Sequence, residues 1–263
     1  MQLINVSDPY SLVAVGTATE GGSFPGLSDP FDVAIFTIGT SVYAIAAGHP
    51  QSGPSSGSVQ IIDVSIPSNP VAMGSATDDT DGFNVLSGAR GVATFTIRGS
   101  AYAIVAGQND NGVQIINVTD PSSPQAVSSA VDGAIFTRLQ GARDVDTFTI
   151  DERTFAIVAS KKGGRGVQII DVSDPSNPVP EGVAKRNNNG FKLNNPQGVR
   201  AFKIGVRPYA LVASKSGCVD LIDLNDPSNP VAVDYAKDGE NAYTELGEAR
   251  QLDTFFIGFH REP

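Results

Sequence analysis

Val167-Gln168-Ile169-Ile170-Asp171-Val172-Ser173-Asp174-Pro175-Ser176-Asn177-Pro178 is one copy of a phrase that recurs along the chain. Its opening half returns as Val59-Gln60-Ile61-Ile62-Asp63-Val64-Ser65 and as Val113-Gln114-Ile115-Ile116-Asn117-Val118-Thr119. Looser copies are Val219-Asp220-Leu221-Ile222-Asp223-Leu224-Asn225 and, at the start, Met1-Gln2-Leu3-Ile4-Asn5-Val6-Ser7. The copies begin at residues 1, 59, 113, 167 and 219, so the intervals are 58, 54, 54 and 52. Each copy is β-branched and apolar and reads as a strand. The Asp-Pro-Ser that follows reads as a turn, because Asp and Ser side chains bond the backbone two residues on and Pro presets φ. A strand-rich period near fifty belongs to propeller blades or another repeat array.

The chain keeps one order between copies. In the unit that holds Val113, Arg90–Ile97 is β-branched and aromatic and predicts a strand; Arg98-Gly99-Ser100 predicts a tight turn. Ala101–Ala106 is almost wholly apolar, as a strand covered on both faces is. Val113–Val118 and the Thr119–Pro124 turn follow, then Gln125–Val131, the least apolar strand and so the outer edge. Equivalent first strands are Asp32–Ile38, Arg143–Ile150, Gln197–Ile204 and Arg250–Ile257. No stretch keeps a helical period. The expectation is a single all-β domain over residues 1–263, a five-bladed β-propeller of four-stranded antiparallel blades. The blades span 31–78, 90–131, 143–184 and 197–236, and the closing blade is built from both termini, 250–263 with 1–18. After Ile257 only Gly258–Pro263 remains, too short and polar for a second strand. The closing blade is thus one strand short, and exposed strand edges there predict self-association.

Composition narrows the function classes. With 40% hydrophobic and 17% charged residues the chain is globular rather than disordered. A net charge of −10 argues against nucleic acid, which needs a basic footprint. Cys218 is the single cysteine, so it has no disulfide partner within the chain and reads as a buried thiol. No apolar run is long enough for a membrane span. The first residues lack the basic and apolar pattern of a leader. The chain opens inside a repeat unit, which reads as a processed product, an excised or engineered repeat fragment, or a piece of something longer.

The quoted phrase, preceded by Phe155-Ala156-Ile157-Val158-Ala159, resembles the LVIVD family of propeller repeats. In that family an L-x-I-I-D-V-S-D-P-S-x-P strand and turn follow a Y-A-hydrophobic-V-A strand. The resemblance covers nearly the whole chain. Departures are Ile66 at the turn Asp, Tyr10-Ser11-Leu12 in the last turn of the first copy, and the missing strand. It implies a propeller fold and an extracellular or cell-surface location in microbial proteins, and it implies no reaction.

Several residues invite a functional reading. Arg90, Arg143 and Arg250 stand at the entry of three first strands, with Phe31 and Gln197 at the other two. First strands of a propeller surround its channel, so these arginines could ring the mouth and hold an anion with forked donors. The plainer alternative is that each pairs with a carboxylate or carbonyl and fixes a blade junction. Asp146, Arg200 and Asp253 share the next polar position inward and either bind a cation or pair with one another. Asp78, Asp79 and Asp81 form an acidic loop that could take calcium, but the twelve-residue calcium pattern is absent and a solvated turn is the favoured reading. Asn5-Val6-Ser7 and Asn117-Val118-Thr119 fit the glycosylation pattern but lie in strands. His49 and His260 are isolated, and no hydrolase, zinc or phosphate-loop motif appears, so no catalytic residue is assigned and no cofactor is required.

The leading expectation is a non-enzymatic interaction or scaffold module with a protein or glycan partner. Alternatives are a propeller that takes a small ligand or ion at the channel mouth, and a glycan-acting enzyme whose paired carboxylates meet only in three dimensions.

Overall fold

The computed structural model describes residues 1–49, 56–162, 166–240, 246, 249–250 and 252–253. The apolar copies and their flanking segments form strands, joined by the turns their Gly, Asp and Pro residues dictate. β1 (Gln2–Asn5) and β2 (Val13–Thr17) make a two-stranded sheet. Four four-stranded sheets follow. The first holds β3 (Pro30–Ile38), β4 (Ser41–Gly48), β5 (Ser58–Asp63) and β6 (Val71–Thr77). The second holds β7 (Ala89–Ile97), β8 (Ser100–Gly107), β9 (Gly112–Asn117) and β10 (Gln125–Val131). The third holds β11 (Ala142–Ile150), β12 (Arg153–Ser160), β13 (Gly166–Asp171) and β14 (Val179–Lys185). The fourth holds β15 (Pro196–Ile204), β16 (Arg207–Ser214), β17 (Cys218–Asp223) and β18 (Val231–Lys237). Neighbours in each sheet are consecutive in sequence and antiparallel, and no helix occurs among the described residues. The β7–β8 hairpin turns on Arg98 (φ 50) and Gly99 (φ 83), the paired left-handed residues whose twist suits a two-residue hairpin.

The expected central strands are the core. Ile104, Ile115, Ile157 and Ile169 have no exposed surface. Each sheet packs a face on the next: Ile45 and Ile61 meet Val92, Val105 and Ile116, and Ile157 and Ile169 meet Val199, Val212 and Ile222. A second seam runs along the outer strands. Gly74 N donates to Pro121 O at 2.8 Å, and Ser128 Oγ donates to Pro175 O at 2.6 Å. A Cβ at Gly16 or Gly182 would stand 2.0 or 2.1 Å from Pro67 O or Pro227 O. The Pro-Ser turn of one repeat therefore seats on the outer strand of the repeat before it, which needs a small residue there. Gln60 ties its repeat to the loop that enters it: Oε1 accepts from Gly26 N at 3.0 Å and Nε2 donates to Gly74 O at 3.2 Å.

The fifth sheet has two strands among the described residues; the third strand expected in it, Arg250–Ile257, and the segment Gly258–Pro263 lie largely outside the described residues. At the outer position held elsewhere by Gly or Ser, β18 carries the exposed Asp234. Cys218 is buried and free. The two Asn-x-Ser/Thr sites are Asx turns, with Asn5 Oδ1 accepting from Ser7 N and Asn117 Oδ1 from Thr119 N, both at 2.9 Å.

Candidate functional site

The innermost strands β3, β7, β11 and β15 lie side by side: Thr94 Oγ1 donates to Ile35 O at 2.9 Å, and Thr147 Oγ1 donates to Thr94 O at 3.3 Å. Each begins with a one-residue slip in its pairing. In β11, Ala142 pairs with Ser160 and Asp144 with Ala159, so Arg143 is extra. Phe31 and Gln197 are extra in β3 and β15 in the same way, and β7 slips between Ala89 and Val92, where Arg90 stands. A bulge re-aims side chains at a strand end. Here it brings the extra residue and its successor to one mouth. Phe31, Asp32, Arg90, Arg143, Asp144, Gln197 and Arg250 line a single cavity of about 460 Å³.

The three arginines are thus brought together at this mouth. Arg143 Nη1 donates to Gln108 Oε1 at 3.1 Å. The Arg90 guanidinium lies 4.0 Å from the centroid of the Phe31 ring, which also stacks on His49 at 4.9 Å. Arg90 Nε is buried without a hydrogen-bond partner. Neither Arg90 nor Arg143 has a carboxylate within ion-pair distance among the described residues. Burial, then the charges of Arg90 and Arg250, lowers Arg143 to about 10. Burial, then Arg143 and Arg90, lowers Lys161 to about 8. The mouth therefore carries an excess of positive charge.

Beneath it lie two carboxylates that the sequence reading missed. Asp32 Oδ1 accepts from Val33 N and Oδ2 from Val92 N, both at 2.9 Å. Asp144 Oδ1 accepts from Val145 N at 2.9 Å and Oδ2 from Val199 N at 2.8 Å. Each carboxylate caps an N–H of its own strand and one of the next strand, so two aspartates clasp two junctions. Gly91 leaves room for this, since a Cβ there would come within 2.4 Å of Asp144 Oδ1. Burial raises Asp144 to about 7, with a smaller contribution from the Asp32 charge. The available signal was a polar residue directly after the arginine position, in strands otherwise β-branched.

Asp146, Arg200 and Asp253 are also brought together. Arg200 reaches Asp146 Oδ2 at 3.5 Å and Asp253 Oδ1 at 3.7 Å. Asp146 Oδ2 also accepts from Ala201 N at 2.8 Å, clasping β11 to β15 as Asp144 does. Asp32, Asp144, Arg200 and Asp253 share a second cavity of about 550 Å³ that adjoins the mouth. The acidic loop lies elsewhere. Asp78 Oδ1 accepts from Leu86 N at 3.0 Å, as Asp132 does from Leu139 N and Asp238 from Leu246 N, which makes it a loop cap. Asp79 and Asp81 hold left-handed turn positions, φ 59 and 47. No group of three metal-capable side chains occurs among the described residues.

The structure is similar to several solved ones. A functionally unknown protein from Desulfotomaculum acetoxidans matches at TM-score 0.59 and 16% identity, covering 90% of this chain and 62% of that one. A family 117 glycoside hydrolase from Zobellia galactanivorans matches at TM-score 0.56 and 12% identity, over 84% of this chain and 73% of that one. A periplasmic gluconolactonase from Pseudomonas aeruginosa matches at TM-score 0.56 and 11% identity, over 81% and 59%. At such identities the likeness is one of fold. The chain spans less than two thirds of the length of the first of these. No curated protein matches it. The LVIVD repeat model matches residues 55–78, 99–132 and 154–183, the central phrases with their flanking strands. Those three segments of the chain are LVIVD repeats, and they fold within propeller-like, four-stranded antiparallel sheets.

Proposed function

We propose that this protein is a non-enzymatic interaction module, extracellular or at the cell surface, that holds an anionic group of its partner at the channel mouth. One observation carries the reading: Arg90, Arg143 and Arg250 converge on one cavity, and the first two lack a carboxylate within ion-pair distance among the described residues. A half-buried guanidinium without an ion-pair partner is unfavourable, and an arriving anion relieves it. The location rests on the LVIVD resemblance.

A glycan-acting enzyme is the second reading, favoured by the hydrolases of similar fold and by the elevated Asp144. The geometry weighs against it. Both oxygens of Asp32 and of Asp144 already accept backbone N–H groups at blade junctions.

Thermal melting with citrate or inorganic phosphate, at constant ionic strength, tests the proposal. Binding stabilises a fold by about 2.7 kcal/mol at a hundred times Kd, so a saturable rise in Tm is expected. The rise should vanish in the Arg90→Ala/Arg143→Ala double variant. An equal rise in the double variant, or none in the parent, overturns the reading.

A further inference from the structure

We propose that the mouth takes an acidic sugar, a uronate whose carboxylate sits on the arginines and whose ring hydroxyls reach the aspartates beneath them. This rests on the anion-binding reading above and specifies its ligand.

The mouth has two chemically opposed layers. Arg90 and Arg143 supply planar forks of N–H donors, the geometry that suits a carboxylate. Asp32 and Asp144 line the same cavity and also the second one, shared with Arg200 and Asp253, so they lie on its channel side. Each of their four oxygens accepts one backbone N–H, from Val33, Val92, Val145 and Val199. A carboxylate oxygen has two acceptor positions, so capacity remains on each for a further donor. The layers favour a mixed ligand over a simple one. A cation would meet the arginines. A bare anion would satisfy the arginines and press its charge against Asp32. A molecule that carries one carboxylate and several hydroxyls satisfies both, giving the arginines an acceptor and the aspartates donors. The cavity, about 460 Å³, lies within the range of about 300–1,000 Å³ usual for small-molecule sites.

Isothermal titration calorimetry on the full chain at neutral pH, with matched ionic strength, tests this. The probes are sodium glucuronate, sodium acetate, glucose, inorganic phosphate and an oligogalacturonate. Glucuronate should bind about tenfold or more tighter than acetate, which lacks the hydroxyls, and than glucose, which lacks the charge. Arg143→Gln, checked for folding by circular dichroism, should weaken glucuronate binding by about tenfold. Oligogalacturonate binding tighter than the monomer supports the proposal and identifies a polysaccharide as the source. Acetate or phosphate binding as well as glucuronate overturns it and leaves the anion reading intact. Glucose binding as well as glucuronate also overturns it. Absence of binding by every anionic probe removes both readings together. The wild-type panel decides the matter even if Arg143→Gln does not fold.

Discussion

Gly91→Ala isolates the junction between β7 and β11. An ideal Cβ at residue 91 would stand 2.4 Å from Asp144 Oδ1, 2.5 Å from Asp144 Cα and 2.9 Å from Val145 N. Ordinary carbon contacts are about 3.5–4.0 Å, and two of these three atoms are backbone, which has no rotamer to change. The strands must part by roughly an ångström. Overpacking of that kind costs about 1–3 kcal/mol. The new Cβ also presses on Asp144 Oδ1 and so strains the bonds from Val145 N and Val199 N to that carboxylate, each worth about 1 kcal/mol. The sum is about 3 kcal/mol, or a fall in Tm of about 6–12 °C for a chain of this size. Gly205→Ala is the reference: it has the left-handed φ of 64 with nothing within 4 Å of the new Cβ, so it should lose only the backbone term of about 1–2 kcal/mol. Thermal melts by circular dichroism compare the two. A Gly91→Ala protein that melts within about a degree of the parent would show that β7 and β11 do not approach as described.

Asp144 also predicts a pH dependence. Its folded pKa, about 7, lies above its ordinary value of 3.8. Its contribution to stability is therefore fully present below about pH 4 and is lost as pH rises towards 7, with a limiting slope of about 1.4 kcal/mol per unit. Asp144→Asn should remove that part of the slope of Tm against pH between 4 and 7; identical slopes in variant and parent would refute the assignment. Ile115→Ala and Ile157→Ala, each at a side chain with no exposed surface, should cost about 2–5 kcal/mol in denaturant unfolding. Losses under about 0.5 kcal/mol at both would mean that the strand faces are assigned wrongly.

Period, strands, turns and core were legible in the residues because they depend on local chemistry. Alternation, β-branching and the Asp-Pro-Ser turns repeat within each fifty-residue unit, and Ile104, Ile115, Ile157 and Ile169 lie where that pattern puts them, at 0% exposure. The register of Arg90, Arg143 and Arg250 was visible too, as was the shared position of Asp146, Arg200 and Asp253. Their partners were not. A strict two-residue alternation sends Arg143 and Asp144 to opposite faces, and only the slip at Ala142–Asp144 turns both towards the mouth. The bond from Val92 N to Asp32 joins residues 60 apart in sequence, and that from Val199 N to Asp144 residues 55 apart. The packing of one sheet on the next decides such contacts, and a single repeat does not contain them. For the same reason Gly91 reads in sequence as a weak strand residue, whereas in the structure it is the space that Asp144 occupies.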